Sequence, residues 1–209
     1  MKKTMTLNLK DVKTFASDWL EEIIKNRRKL ILTVLYVIGL WCGTRIYIAD
    51  SGNVSYSLSA LLQLFEGRKL LKTFALLLIV NLTPIIISFL NGFFAFGMPI
   101  SMLSPCISGM AAGVLNAWLF SCYRLHGVIF SLISVVAFGV VITIMLLVSC
   151  NESIMLSGQL AKSIFLKDAG ERGEVKDFFI RHLIIILATI AVTALQVVVT
   201  VNLYSKLLI

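Results

Sequence analysis

The chain has 209 residues, of which 58% are hydrophobic and only 14% charged, with a mean hydropathy of +0.94 and a formal net charge of +8. This composition excludes a water-soluble globular protein and leaves little chain for a separate soluble domain. The basic excess does not point to nucleic acid. Eight of the nineteen basic residues (Lys2, Lys3, Lys10, Lys13, Lys25, Arg27, Arg28 and Lys29) precede the first apolar run. There they read as a positive-inside signal and as attraction to anionic membrane lipid.

Residues 1–29 read as a cytoplasmic basic segment. Val12, Phe15, Trp19 and Ile23 fall at helical spacing within 9–24, which predicts an amphipathic helix lying in the membrane interface. The first span, 30–49, follows a polar segment too long for a signal-peptide n-region and reads as an uncleaved anchor. After a turn at 50–53, the apolar residues Val54, Leu58, Leu61, Leu62 and Phe65 oppose Ser55, Ser59, Gln63 and Glu66. This predicts a second amphipathic helix. Leu58, Leu62 and Phe65 are its candidate partner surface, with packing on the end of the bundle as the alternative.

From Thr73 to Tyr123 there is no Asp, Glu, Lys, Arg or His over 51 residues. As one helix this stretch would measure about 77 Å, against a bilayer core of about 30 Å. It must therefore turn back, and the three prolines (Pro84, Pro99, Pro105) with Asn91-Gly92 place the turn between spans at 73–96 and 100–121. Arg124 separates these from a fourth span at 127–150. Leu156, Leu160 and Ile164 predict a short surface helix, Lys167 to Asp177 a polar loop, and the fifth span runs 183–203.

The expected fold is all-α: a polytopic membrane helix bundle over 30–207, with about five transmembrane helices and short interfacial amphipathic helices. The charges prefer five spans. With the N-terminus inside, thirteen basic residues fall on the cytoplasmic side and six outside. A four-span arrangement gives ten against nine. The expected location is the bacterial cytoplasmic membrane with the N-terminus cytoplasmic.

Chemistry-bearing groups are scarce. Ion-coupled transport and intramembrane hydrolysis need ionisable side chains at depth, and here Arg45, His126 and His182 all read as lying near span ends, where snorkelling keeps their cost low. Glu21-Glu22, Arg27 and Phe178-x-x-x-His182 resemble part of a CAAX-protease-like metal site. The arginine is one residue out of place, however, and Glu21 precedes the first span. There is no HExxH, phosphate loop or nucleophile elbow. Cys42, Cys106, Cys122 and Cys150 form no CxxC pair and read as small hydrophobes. No catalytic, cofactor or metal site is expected, and the chain does not read as an enzyme.

The spans do carry small residues at packing spacing. Gly109, Gly113 and Ala117 share one helix face with Asn116 beside it, and Gly39-x-x-x-Gly43 lies in the first span. Such a face suits close packing within the bundle or contact with a partner, another copy included. Asn81, Thr83, Asn91 and Gln196 read as polar glue between helices, or as a solute path.

Several of these features together resemble the stage II sporulation protein M family of bacterial membrane proteins. They are Lys25-Asn26-Arg27-Arg28 before a span with Gly39 and Gly43, an amphipathic helix before the next span, Asn91-Gly92, the Gly109/Gly113 span and a closing apolar helix. His126-Gly127-Val128 is similar to that family's Pro-His-Gly-x-x-Glu segment, with Leu125 and Phe130 in place of its proline and glutamate. The resemblance spans most of 25–207. It implies a non-enzymatic scaffold that recruits peptidoglycan-degrading partners during engulfment in sporulation. The competing expectation is a small permease subunit working with a separate ATPase.

Overall fold

The computed structural model describes residues 27–52, 54–56, 58, 70–166 and 172–207. These residues are almost wholly helical, with no strand among them: α1 Arg27–Ala49, α2 Leu70–Gly92, α3 Gly97–Phe130, a wide π-turn at Ser131–Val136, α4 Ala137–Leu166 and α5 Arg172–Leu207. Four stretches are long and apolar enough to cross a membrane. The longest, Gly97–Ala161, has 65 residues and would measure about 98 Å if straight. It is not straight. Arg124 leaves helical geometry at φ 46° and ψ −124°, and the chain doubles back there.

Contacts either side of Arg124 show the reversal. The Ser131 hydroxyl donates to the Asn116 side-chain oxygen, and Gly127 packs on the Leu119 carbonyl, where a Cβ would not fit. The wide turn then points Ser131 and Ser134 inward together. The described residues therefore form five helical arms, and their ends alternate. Tyr47, Trp118, Leu119 and Phe130 cluster at one end with Val54, Leu58, Tyr123 and Leu203. At the other end Leu32, Ile85, Cys150 and Ile154 cluster with Met102 and Ile185. There, too, the 93–96 turn lies against α4 and α5 through Ser157 and Phe178.

That short turn is closed by Phe93 N–H donating to the Leu90 carbonyl (3.1 Å) and Gly97 N–H to the Phe94 carbonyl (2.9 Å). Gly97 is required because a Cβ would strike the Asn91 carbonyl. Pro99 sits in the first turn of α3, where a missing N–H costs nothing. Pro84 lies within α2 and leaves the Val80 carbonyl without its intrahelical donor. One residue earlier, the Thr83 hydroxyl donates to the Ile79 carbonyl at 2.6 Å, the back-bond to residue i−4 that threonines make within helices.

Three expectations change. The predicted surface helix at Leu156 to Ile164 is the continuation of α4, which runs unbroken to Leu166. Ile154, Leu156 and Ser157 are buried in the bundle rather than lying on its surface. The physical reason is that Asn151 and Glu152 mark where polar surroundings begin, and a helix need not end there. The fifth helix likewise begins at Arg172, inside the segment expected as a loop. Finally, His182 is fully buried, so snorkelling does not lower its cost. The amphipathic helix expected at 9–24 lies outside the described residues, as do Leu62 and Phe65.

Candidate functional site

Two interfaces are built from the residues that bear polarity or unusual size. The first joins α1 and α3. A Cβ at Gly39 would collide with the Cys106 carbonyl, and one at Gly43 with that of Met110. Reciprocally, a Cβ at Gly109 would collide with the Tyr36 carbonyl, and one at Gly113 with that of Leu40. Positions 39 and 43 pair with 106 and 110 in increasing order, so α1 and α3 run parallel. Their backbones touch because four glycines remove the side chains between them. The glycine Cα–H groups then face carbonyl oxygens, a weak hydrogen-bonding geometry that recurs at such crossings. This face is covered by the chain itself. Ala117 packs against the Trp118 cluster beyond it, and Asn116 is engaged by Ser131.

The second interface joins α2, α4 and α5 and is polar along its length. On α5 the buried polar residues are His182, Thr189, Thr193, Gln196 and Thr200, spaced to share one face. On α4 they are Ser149, Ser153 and Ser157 at successive i+4 positions. Asn81 of α2 donates to the Thr193 hydroxyl and to the Gln196 side-chain oxygen, both at 3.1 Å. Gln196 in turn donates to the Ser134 carbonyl at 3.3 Å, and Ser134 pairs with Thr200 at 2.5 Å. The π-turn presents a main-chain carbonyl to a side-chain donor here, one reason such turns gather polar contacts. Nearer the 93–96 turn, Ser88 pairs with Ser153 at 3.0 Å, and the Cys150 thiol lies against Ser88 and Ser104.

Ser149 and His182 form the one pairing here with the parts of a nucleophile and base. The Ser149 hydroxyl lies 3.0 Å from His182 Nε2, and Nδ1 lies 3.1 Å from the Phe178 carbonyl. A carbonyl only accepts, so Nδ1 carries the proton and Nε2 accepts from Ser149. A catalytic dyad needs a reacting position beside the hydroxyl. Here both residues are 0% exposed, and Phe178 and Phe89 cover the imidazole with ring centroids at 4.1 and 5.3 Å. Glu152, on the α4 side, bonds Arg181 at 3.1 Å instead of the histidine. The pair closes the α4–α5 contact and leaves no room for a substrate.

The other sequence candidates are scattered. Arg45 lies over the Trp41 ring at 5.4 Å, and His126 is exposed beside the Arg124 turn. Leu58 packs with Val54 against the Tyr47–Trp118 cluster, and most of the helix expected there lies outside the described residues. Asn91 has a buried side-chain nitrogen without a partner, as do the Ser101 and Thr73 hydroxyls and the Trp118 indole. The four cysteines are free, and no group of three or more potential metal ligands occurs among the described residues.

Fold and interior together define an all-α membrane helix bundle with a glycine-packed crossing and a hydrogen-bonded polar interior. No protein-family model matches the chain, and no curated protein or solved structure matches it.

Proposed function

We propose that the protein is a non-catalytic integral membrane scaffold of the bacterial cytoplasmic membrane that assembles or localises partner proteins. The carrying observation is the closed interior. Ser149 and His182, the pair with the parts of a nucleophile and base, bond each other between α4 and α5 and are both 0% exposed. Such an interior makes a fixed frame rather than a reaction site. The resemblance to the stage II sporulation protein M family supports the same reading and adds peptidoglycan-degrading enzymes as the partner class. In the orientation we favour, the Arg27 end is cytoplasmic. Arg172, Lys176 and Arg181 lie at that end, and Arg45, Lys72 and Arg124 at the other.

The test is in-cell crosslinking of the tagged full-length protein, followed by identification of what is joined to it. Cell-wall hydrolases among the crosslinked partners support the scaffold; a cytosolic ATPase as the main partner replaces it with a permease subunit. That second reading has its own support in the run of neutral polar groups from Ser88 through Asn81 to Thr200. Solute flux in proteoliposomes that is lost on Asn81→Leu would establish it.

A further inference from the structure

We infer that the bundle holds a bound water molecule beneath the 93–96 turn, between Asn91 of α2 and Ser101 of α3. Asn91 is 8% exposed and Ser101 0% exposed, yet the Asn91 side-chain nitrogen and the Ser101 hydroxyl both lack partners. Two placements bring these residues together. Ser88 and Ser104 both lie against the Cys150 thiol, which sets α2 and α3 opposite each other at that level. One helical turn toward the 93–96 turn, i+3 on α2 and i−3 on α3, the facing residues are Asn91 and Ser101. Independently, Gly97 packs on the Asn91 backbone, and Ser101 lies one turn further along the same face of α3.

A third polar group belongs to the same place. Pro105 has no N–H to return to the Ser101 carbonyl, four residues earlier, and Pro105 is itself fully buried. Ser157 of α4 covers the turn above, donating to the Phe94 carbonyl at 2.7 Å. The groups on offer are thus an amide donor, a hydroxyl that both donates and accepts, and carbonyl oxygens. A buried water typically makes about three hydrogen bonds to such groups. A cation is disfavoured because the Asn91 amide presents its N–H, and an anion because none of these residues is charged. The water joins the two helices where the turn leaves their polar groups facing each other, and it completes the polar interior at this end.

Thermal unfolding of the full chain in detergent tests the site by sign. A Ser101 hydroxyl that binds water stabilises the fold, so Ser101→Ala lowers the midpoint by about 2–4 °C. A hydroxyl buried with no partner destabilises it, so an unchanged or raised midpoint overturns the proposal. The second measurement is an electron cryo-microscopy map of the full chain bound to an antibody fragment, at a resolution that shows waters. Density within hydrogen-bond distance of both Asn91 and Ser101 is expected. A well-resolved region in which Asn91 bonds directly to protein, with no density between the two residues, overturns the site.

Discussion

The α1–α3 crossing and the α2–α4–α5 interior hold helices together by opposite means. At the crossing nothing lies between the backbones, because Gly39, Gly43, Gly109 and Gly113 leave carbonyls against Cα atoms. In the interior, amides and hydroxyls stand between the helices and bond across them. The first depends on shape and tolerates no added atom. The second depends on pairing, where each bond can be lost separately. Lipid tails are as apolar as leucine, so hydrophobic burial gives little drive to associate, and these two devices take its place.

The largest effect should come from breaking the crossing. Gly113→Leu drives a side chain into the Leu40 carbonyl, whereas Ala111→Leu adds the same bulk on an exposed face. Overpacking typically costs about 1–3 kcal/mol, and a backbone obstacle that cannot repack puts this case at the top of that range. Membrane levels and thermal midpoint should fall for Gly113→Leu and hold for Ala111→Leu. Equal behaviour would remove the contrast between shape and pairing.

Next comes His182→Ala, which leaves Ser149 without its acceptor and opens a gap beside Phe178 and Phe89. A loss of about 2–3 kcal/mol is expected from the unmet buried hydroxyl and the lost packing. His182→Gln, which can still accept from Ser149, should recover part of it in the same unfolding assay. A fluorophosphonate probe should leave Ser149 unlabelled in native membranes. Labelling that disappears in Ser149→Ala would make this pair a hydrolytic site and remove the scaffold reading.

Asn81→Leu should cost less, about 1–2 kcal/mol for two interhelical bonds in a membrane, where a single bond averages about 0.6. Replacing Asn81 and Thr193 together by apolar residues should cost less than the sum of the single changes. The smallest effect belongs to Glu152→Gln. Its partner Arg181 is 60% exposed, and such a pair is worth about 0–1 kcal/mol and fades with salt. A stability loss larger than that of Asn81→Leu would reverse the ranking of interior over surface.

Much of the architecture was legible because charge is so sparse. The uncharged stretch from Thr73 to Tyr123, ended by Arg124, dictates helices that turn back, and Asn91-Gly92 with Pro99 flank the place, whereas Pro84 and Pro105 lie inside α2 and α3. Small-x-x-x-small spacing named both glycine pairs. It did not say that they face each other, which depends on α1 and α3 running parallel. The polar interior was less legible. His182 follows Arg181 and sits near Phe178 and Phe179, so locally it reads as interfacial, and only Ser149, 33 residues away, accounts for its burial. A signal was present in the serines at 149, 153 and 157, which share a face, and in the polar stripe of α5. The length of α4 was misread because charge marks where water begins, whereas a helix stops only where its backbone is broken.

Arg124 has a consequence for how the chain is made. Its dihedral angles lie where a side chain is disfavoured, at a cost of about 1–3 kcal/mol, and no glycine relieves it. Up to Asn151 it is also the only formal charge after Lys72. An insertion machine reading this region as it leaves the ribosome meets a continuous oily run whose first turn, at 93–96, is uncharged and whose second carries Arg124. In the favoured orientation that single cation must be carried across the bilayer, at about 2.5–3.5 kcal/mol for an arginine passing its centre. Two flanking apolar arms entering together offset that cost, whereas either arm alone would leave the cation stranded midway. α3 and α4 would then be delivered to the membrane as a pair, ahead of the helix that later packs against them.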